Sequence, residues 1–182
     1  MARLPYLDLA DLAPEDRTLV RDINLSRIMM YSPDAARRQG ALARYIRHES
    51  RLDPRLRELA ILQVGYVARA PYEWAHHVRI ARDFGVADAE IRAIAEESAG
   101  RETSLDPLAR TVLRAAREMA RGPGMAADTF AQLKEALGAE RLVDLVVATA
   151  FYVATCRLLA SFAMDVEDEY RPHLAEFPLP TE

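Results

Sequence analysis

The sequence predicts an all-α protein. Helix-period patterning dominates the 182 residues, and alternating strand patterns are scarce. Alanine, leucine, arginine and glutamate, all strong helix formers, are abundant. Prolines and glycines fall between the periodic stretches, where helices start and stop.

Taken in order, helices are expected at about 15–30, 33–48, 54–69, 71–84, 87–98, 106–121, 126–137 and 139–169. Ser32-Pro33, Asp53-Pro54 and Asp106-Pro107 each offer a side-chain acceptor at the N-cap and a proline at the first helical position. Gly85 and Gly138 stand where a helix stops in a left-handed turn. Glu49–Pro54 and Glu102–Pro107 match at an offset of 53 residues, which also pairs Arg57 with Arg110 and Gly85 with Gly138. Two related helical hairpins are implied, although such punctuation is common enough to coincide by chance. Chemistry does not repeat with them: Glu58, Glu73 and His77 fall opposite Thr111, Ala126 and Phe130. The first hairpin is therefore the expected site and the second its scaffold. A single domain over 1–182 is expected, with a core at about 33–98, a second unit at about 105–165, and a charged, proline-bearing arm over 166–182.

Composition narrows the function. About half the chain is apolar and 29% is charged, with a net charge of −4. That is enough apolar material for a core. Nucleic-acid binding would want a basic face, and none is indicated. One cysteine, Cys156, allows no intrachain disulfide and no two-cysteine redox cycle. The N-terminal stretch lacks the continuous apolar run of a signal peptide, and Leu142–Ala154 is too short for a membrane span. A cytoplasmic protein acting on a small molecule, with neither membrane nor nucleic acid as partner, is the expectation.

The chemistry-bearing segment is Leu52–Ile91. Glu58 lies among Leu56, Leu59, Ile61 and Leu62 on a helix opened by Pro54. Desolvation there would suit proton transfer; a solvated edge shared with Arg55, or a pair with Arg57 or Arg69, is the plainer alternative. Pro71 opens the next helix, with Glu73 in its first turn. Glu73 and His77 are four residues apart, so they share a face. Such a pair can set an imidazole's orientation and tautomer, or be an ordinary surface link. His76 projects about 100° from His77, so the two do not chelate one ion together. No HExxH, glycine-rich phosphate loop, G-x-S-x-G or CxxC is present. Glu73 and His77 offer two metal ligands and Glu58 a third, a weaker alternative; no metal and no cofactor are expected. Tyr66, Tyr72, Trp74 and His76 surround the pair in sequence and are candidate substrate contacts, as well as candidates for packing.

These residues resemble the carboxymuconolactone decarboxylase / alkylhydroperoxidase-like superfamily. Glu58 falls on the glutamate of the peroxidase branch and His77 on its histidine. The two cysteines of that branch's CxxC fall on Ala70 and Glu73, so its thiol relay cannot be carried over. The decarboxylase branch has a Glu-Leu-x-x-His pattern, which Glu73-Trp74-Ala75-His76-His77 approaches. Gly85-Val86 and Glu90-Ile91 resemble that branch's continuation, and the helix carrying Phe151, Tyr152 and Arg157 resembles the family's closing helix.

The resemblance implies an alkylhydroperoxidase-like helical domain assembled as a homo-oligomer, a trimer or hexamer or else a dimer. It also implies catalytic roles for Glu58, Glu73 and His77. The activity expected is that of a cofactor-free lyase or isomerase moving a proton on a small carboxylated or lactone substrate. Two alternatives stand beside it: a catalytically silent ligand-binding or assembly protein, and, as the weakest, a peroxidase-related protein using Cys156.

Overall fold

The computed structural model describes residues 2–181, and every described regular element is helical. After 3₁₀ turns at Leu9–Asp11 and Pro14–Leu19 come α1 (Asn24–Met29), α2 (Pro33–Arg44), α3 (Pro54–Val67) and α4 (Pro71–Asp83). They are followed by α5 (Asp88–Ser98), α6 (Pro107–Arg121), α7 (Ala127–Phe162) and α8 (Arg171–Glu176).

Helix α3 is the centre of the molecule. Its residues from Leu56 to Gly65 are all buried, so its sequence lacks the polar stripe of a surface helix. Helices α4, α5, α6 and α7 pack around it. Asp53 caps α3 by accepting from the Arg55 and Leu56 amides, and Asp106 caps α6 by accepting from that of Ala109. Ser32 makes no such side-chain cap on α2. The two hairpins, α3–α4 and α6 with the first part of α7, both end in positive-φ glycines, Gly85 at φ +88° and Gly138 at φ +74°, the latter with an extended ψ of 171° rather than a left-handed turn. Gly138 breaks the regular geometry of α7 where the sequence separates two helices.

Three expected boundaries are corrected. The helix expected over 15–30 is split: Val20–Ile23 is irregular, and α1 begins only at Asn24. The reason lies far along the chain, because Glu167 Oε1 accepts the Asn24 amide at 2.6 Å and Ser26 Oγ accepts that of Arg21. Next, α2 does not run on as an ordinary α-helix to residue 48. Tyr45–Glu49 forms a π turn, closed where the Ser50 amide donates to Tyr45 O. Finally, the last long helix stops at Phe162 rather than 169, with Ala163 left-handed at φ +50°. The chain then returns along α4 as the arm. Its Phe177 carbonyl accepts from Trp74 Nε1 at 2.7 Å, and its Glu167 reaches Tyr72 and His76.

Among the described residues α7 alone is long and apolar enough to cross a membrane, but half of its most apolar stretch is buried inside the protein. It packs on α3 and α6 as a core helix.

Candidate active site

The three residues expected to carry chemistry meet in one place. Helix α3 presents Glu58 inward and α4 presents Glu73 and His77 toward it. His77 Nδ1 lies 2.7 Å from Glu58 Oε2, and His77 Nε2 lies 2.9 Å from Glu73 Oε1. The other Glu58 oxygen accepts from Arg57 Nε at 2.9 Å. Arg57 lies over the Phe84 ring at 4.4 Å, and its Nη2 is buried without a hydrogen-bond partner. All four side chains are buried, and Glu58 is fully so.

One of the plainer alternatives is present, the Arg57–Glu58 pair, but it is buried and does not exclude the contact with His77; neither Glu58 nor the Glu73–His77 pair lies on a solvated surface. In order, Arg57, Glu58, His77 and Glu73 alternate positive and negative when the imidazole is protonated. Buried charges persist when each has a partner of opposite sign. Burial by itself pushes the His77 ionisation down, but the adjacent carboxylates of Glu73 and Glu58 outweigh it and hold it up at about 9. Burial likewise works to raise Glu58, yet His77 and then Arg57 hold its carboxyl below the usual range. Both imidazole nitrogens face carboxylate oxygens. The proton on the Nε2 side therefore has two resting places, His77 or Glu73.

A cavity of about 400 Å³ opens beside this chain of groups. Glu73 and His77 reach it; Glu58 and Arg57 stand behind them. Leu25, Met29, Ile80 and Phe151 supply apolar wall, and Arg21, Arg37, Arg44 and Arg47 supply positive charge. Arg37 is engaged by Asp16 and Asp34, and Arg44 by Glu49. Among the described residues Arg47 meets no carboxylate; its Nε donates only to Ala43 O at 3.4 Å. The π turn carries Arg47. Tyr152, from α7, sets its ring edge-on to His77 with centroids 4.8 Å apart.

The four expected substrate contacts divide. Tyr72 and His76 line the cavity. The Tyr72 hydroxyl donates to Glu167 Oε1 at 2.9 Å and accepts from the Leu25 amide. His76 stacks between Tyr72 and Tyr170, at 4.3 and 3.7 Å, with Nε2 2.8 Å from Glu167 Oε2. Tyr66 and Trp74 do not line the cavity. Trp74 is a core residue whose indole N–H anchors the arm, and Tyr66 packs against it at 5.7 Å. The geometry explains the split: on α4, residues 72, 73, 76 and 77 share one face, and residue 74 projects from another.

Sequence reasoning missed Arg47 and did not assign Tyr152 to the site. Both are remote in sequence from the hairpin. A regular helical reading of 33–48 gives no hint of the π turn that carries Arg47. Cys156 is buried, and burial, with Glu73 adding to it, pushes its thiol well above the ordinary range. Among the described residues no group of three or more histidine, cysteine, aspartate or glutamate side chains is arranged to hold a metal ion.

Comparison with known proteins adds the lineage. A model of the carboxymuconolactone decarboxylase family matches residues 33–118, which include Glu58, Glu73 and His77. No curated protein matches the chain in sequence. The structure is similar to the alkylhydroperoxidase AhpD core of an uncharacterized peroxidase-related protein from Ralstonia eutropha JMP134, with a TM-score of 0.81 and 19% identity over 98% of both chains. It is equally similar to a cysteine-to-alanine variant of the debrominase Bmp8 in complex with 2,3,4-tribromopyrrole: TM-score 0.81, 20% identity, 97% of this chain and 100% of that one. A protein of unknown function from Agrobacterium tumefaciens follows, with a TM-score of 0.66 and 22% identity over 77% of this chain and 95% of its own. At these identities the likeness is one of fold.

Proposed function

The chain belongs to the carboxymuconolactone decarboxylase / alkylhydroperoxidase-like superfamily, and from that premise we propose that it is a cofactor-independent lyase or isomerase moving a proton on a small carboxylated or lactone substrate. The observation that carries the proposal is the relay Glu58–His77–Glu73 ending at a cavity rimmed by arginines. Enclosed spaces of this size suit single small ligands.

In the decarboxylating version, the bond between a ring carbon and its carboxylate breaks and carbon dioxide leaves. The electron pair passes into a conjugated carbonyl, giving an enolate. The Nε2 proton of His77 passes to the Glu73 carboxylate, Glu73 delivers it to that ring carbon, and solvent later restores the proton on His77. Each turnover thus consumes one proton. In the isomerising version the same relay removes a proton from one carbon and returns it to another. Glu73 is the group that meets substrate. His77 is its proton reservoir and Glu58 holds the imidazole in register, worth roughly 10²–10⁴-fold for positioned acid–base catalysis. Arg47 offers an ion pair to a carboxylate that stays on the substrate.

Reading the chain as a silent scaffold would leave a cavity beside an unspent acid–base pair without a purpose. The buried, protonated thiol of Cys156 disfavours a peroxidase reading. Assembly into a homo-oligomer belongs to the same proposal. The test is turnover of carboxymuconolactone and related ring acids by the wild type and by His77→Gln. The variant is expected to keep its helical circular dichroism and lose at least about 100-fold in kcat; unchanged turnover sinks the assignment.

A further inference from the structure

The ring of Tyr152 packs in the core against His77 and Phe151, but that packing gives its hydroxyl no role. Its residue surface is only 4% exposed, and it lines the cavity beside His77. Among the described residues nothing hydrogen-bonds its hydroxyl, whereas Tyr6, Tyr31, Tyr45 and Tyr72 all use theirs. The hydroxyl is not sealed off in the core; Tyr152 lines the cavity, where a ligand can take its proton donor in place of solvent. Phenylalanine would fill the same space without offering that donor.

We propose that Tyr152 is a catalytic hydrogen-bond donor to the oxyanion of an enolate, and that the substrate class is therefore a ring acid whose carbonyl oxygen takes up the electron pair. This deepens the function proposed above and rests on it. Arg47 and Arg57 oppose the nearby carboxylates at Tyr152 without outweighing them. Burial first, then Glu73 and Glu58, push the Tyr152 hydroxyl above its ordinary range, so it keeps its proton and donates. A preorganised donor aimed at developing charge in a water-poor site commonly contributes about 10²–10³-fold in kcat.

The test uses ortho-nitro-para-hydroxybenzoate, a carboxylated phenol whose phenolate is yellow. Its carboxylate suits Arg47 and its phenolate oxygen mimics the enolate oxyanion. In the wild-type protein the bound phenol is expected to ionise at a pH at least about one unit below that of the free probe, a tenfold change in its constant. Tyr152→Phe is expected to remove that shift while the probe still binds. The same variant should match or exceed wild-type Tm, because the lost hydroxyl has no partner; a structural tyrosine would lose stability instead. With a turned-over ring acid, Tyr152→Phe should lower kcat and leave KM within about twofold.

Ionisation at the free value in the wild type, failure of the probe to bind, or an equal shift in Tyr152→Phe each overturns the proposal. If the shift and its loss are both seen but no ring acid is turned over, the oxyanion site stands and the lyase reading falls.

Discussion

At the residue scale, His77 is held between two carboxylates. An imidazole whose ionisation is raised by folding binds its proton more tightly in the folded chain. Its stabilisation is therefore complete below the ordinary value of 6.5 and is lost as pH climbs through about 9. Glu58 runs the other way: its contribution is present above the ordinary carboxylate range and disappears as pH falls through its lowered value. Between those limits His77 and Glu58 are both charged and paired. Thermal unfolding across pH 6–10 should show the wild type losing on the order of 3 kcal/mol, with His77→Gln lacking that slope. Parallel curves for the two proteins would contradict the pairing.

At the scale of elements, the α3–α4 hairpin places Glu58 opposite His77, and local rules explain most of it. Asp53-Pro54 starts α3, Pro71 starts α4, and the four-residue spacing sets Glu73 beside His77; all three are legible in the sequence and present in the structure. The partner of His77 on its other side was less legible. The missing polar stripe of α3 points to a buried helix, but which buried groups meet Glu58 depends on how α4, α6 and α7 pack on it, which no window of α3 encodes. The same limit applies to α1, whose start is fixed by Glu167 from across the chain, and to Trp74, whose face of α4 is occupied by the arm.

The second hairpin repeats the punctuation and not the chemistry. Its stop can be tested alone. Gly138 has φ +74°, and a Cβ added there meets nothing within 4 Å. Gly138→Ala should therefore cost about 1–3 kcal/mol through backbone strain alone, because positive φ with an extended ψ of 171° is a region essentially reserved for glycine, seen as a lower Tm of a few degrees. An unchanged Tm would mean that the kink in α7 does not need a positive-φ residue.

At the scale of the whole molecule, distant segments converge on one small space. The π turn brings Arg47, α4 brings Glu73 and His77, α7 brings Tyr152, and the N-terminal segment closes one wall with Leu25 and Met29. Where the peroxidase branch of the superfamily has its second cysteine, this chain has Glu73, and the relay that would serve a thiol ends in a carboxylate. The central claim is that this carboxylate hands a proton to carbon. The most direct measurement is proton NMR of the product formed from carboxymuconolactone or a related ring acid in deuterium oxide, with the wild type and with Glu73→Gln. The account predicts one deuterium incorporated per turnover at the carbon that loses carbon dioxide or gains the shifted proton, and loss of both product and label in Glu73→Gln. Turnover and labelling that persist in Glu73→Gln at wild-type rates would contradict it.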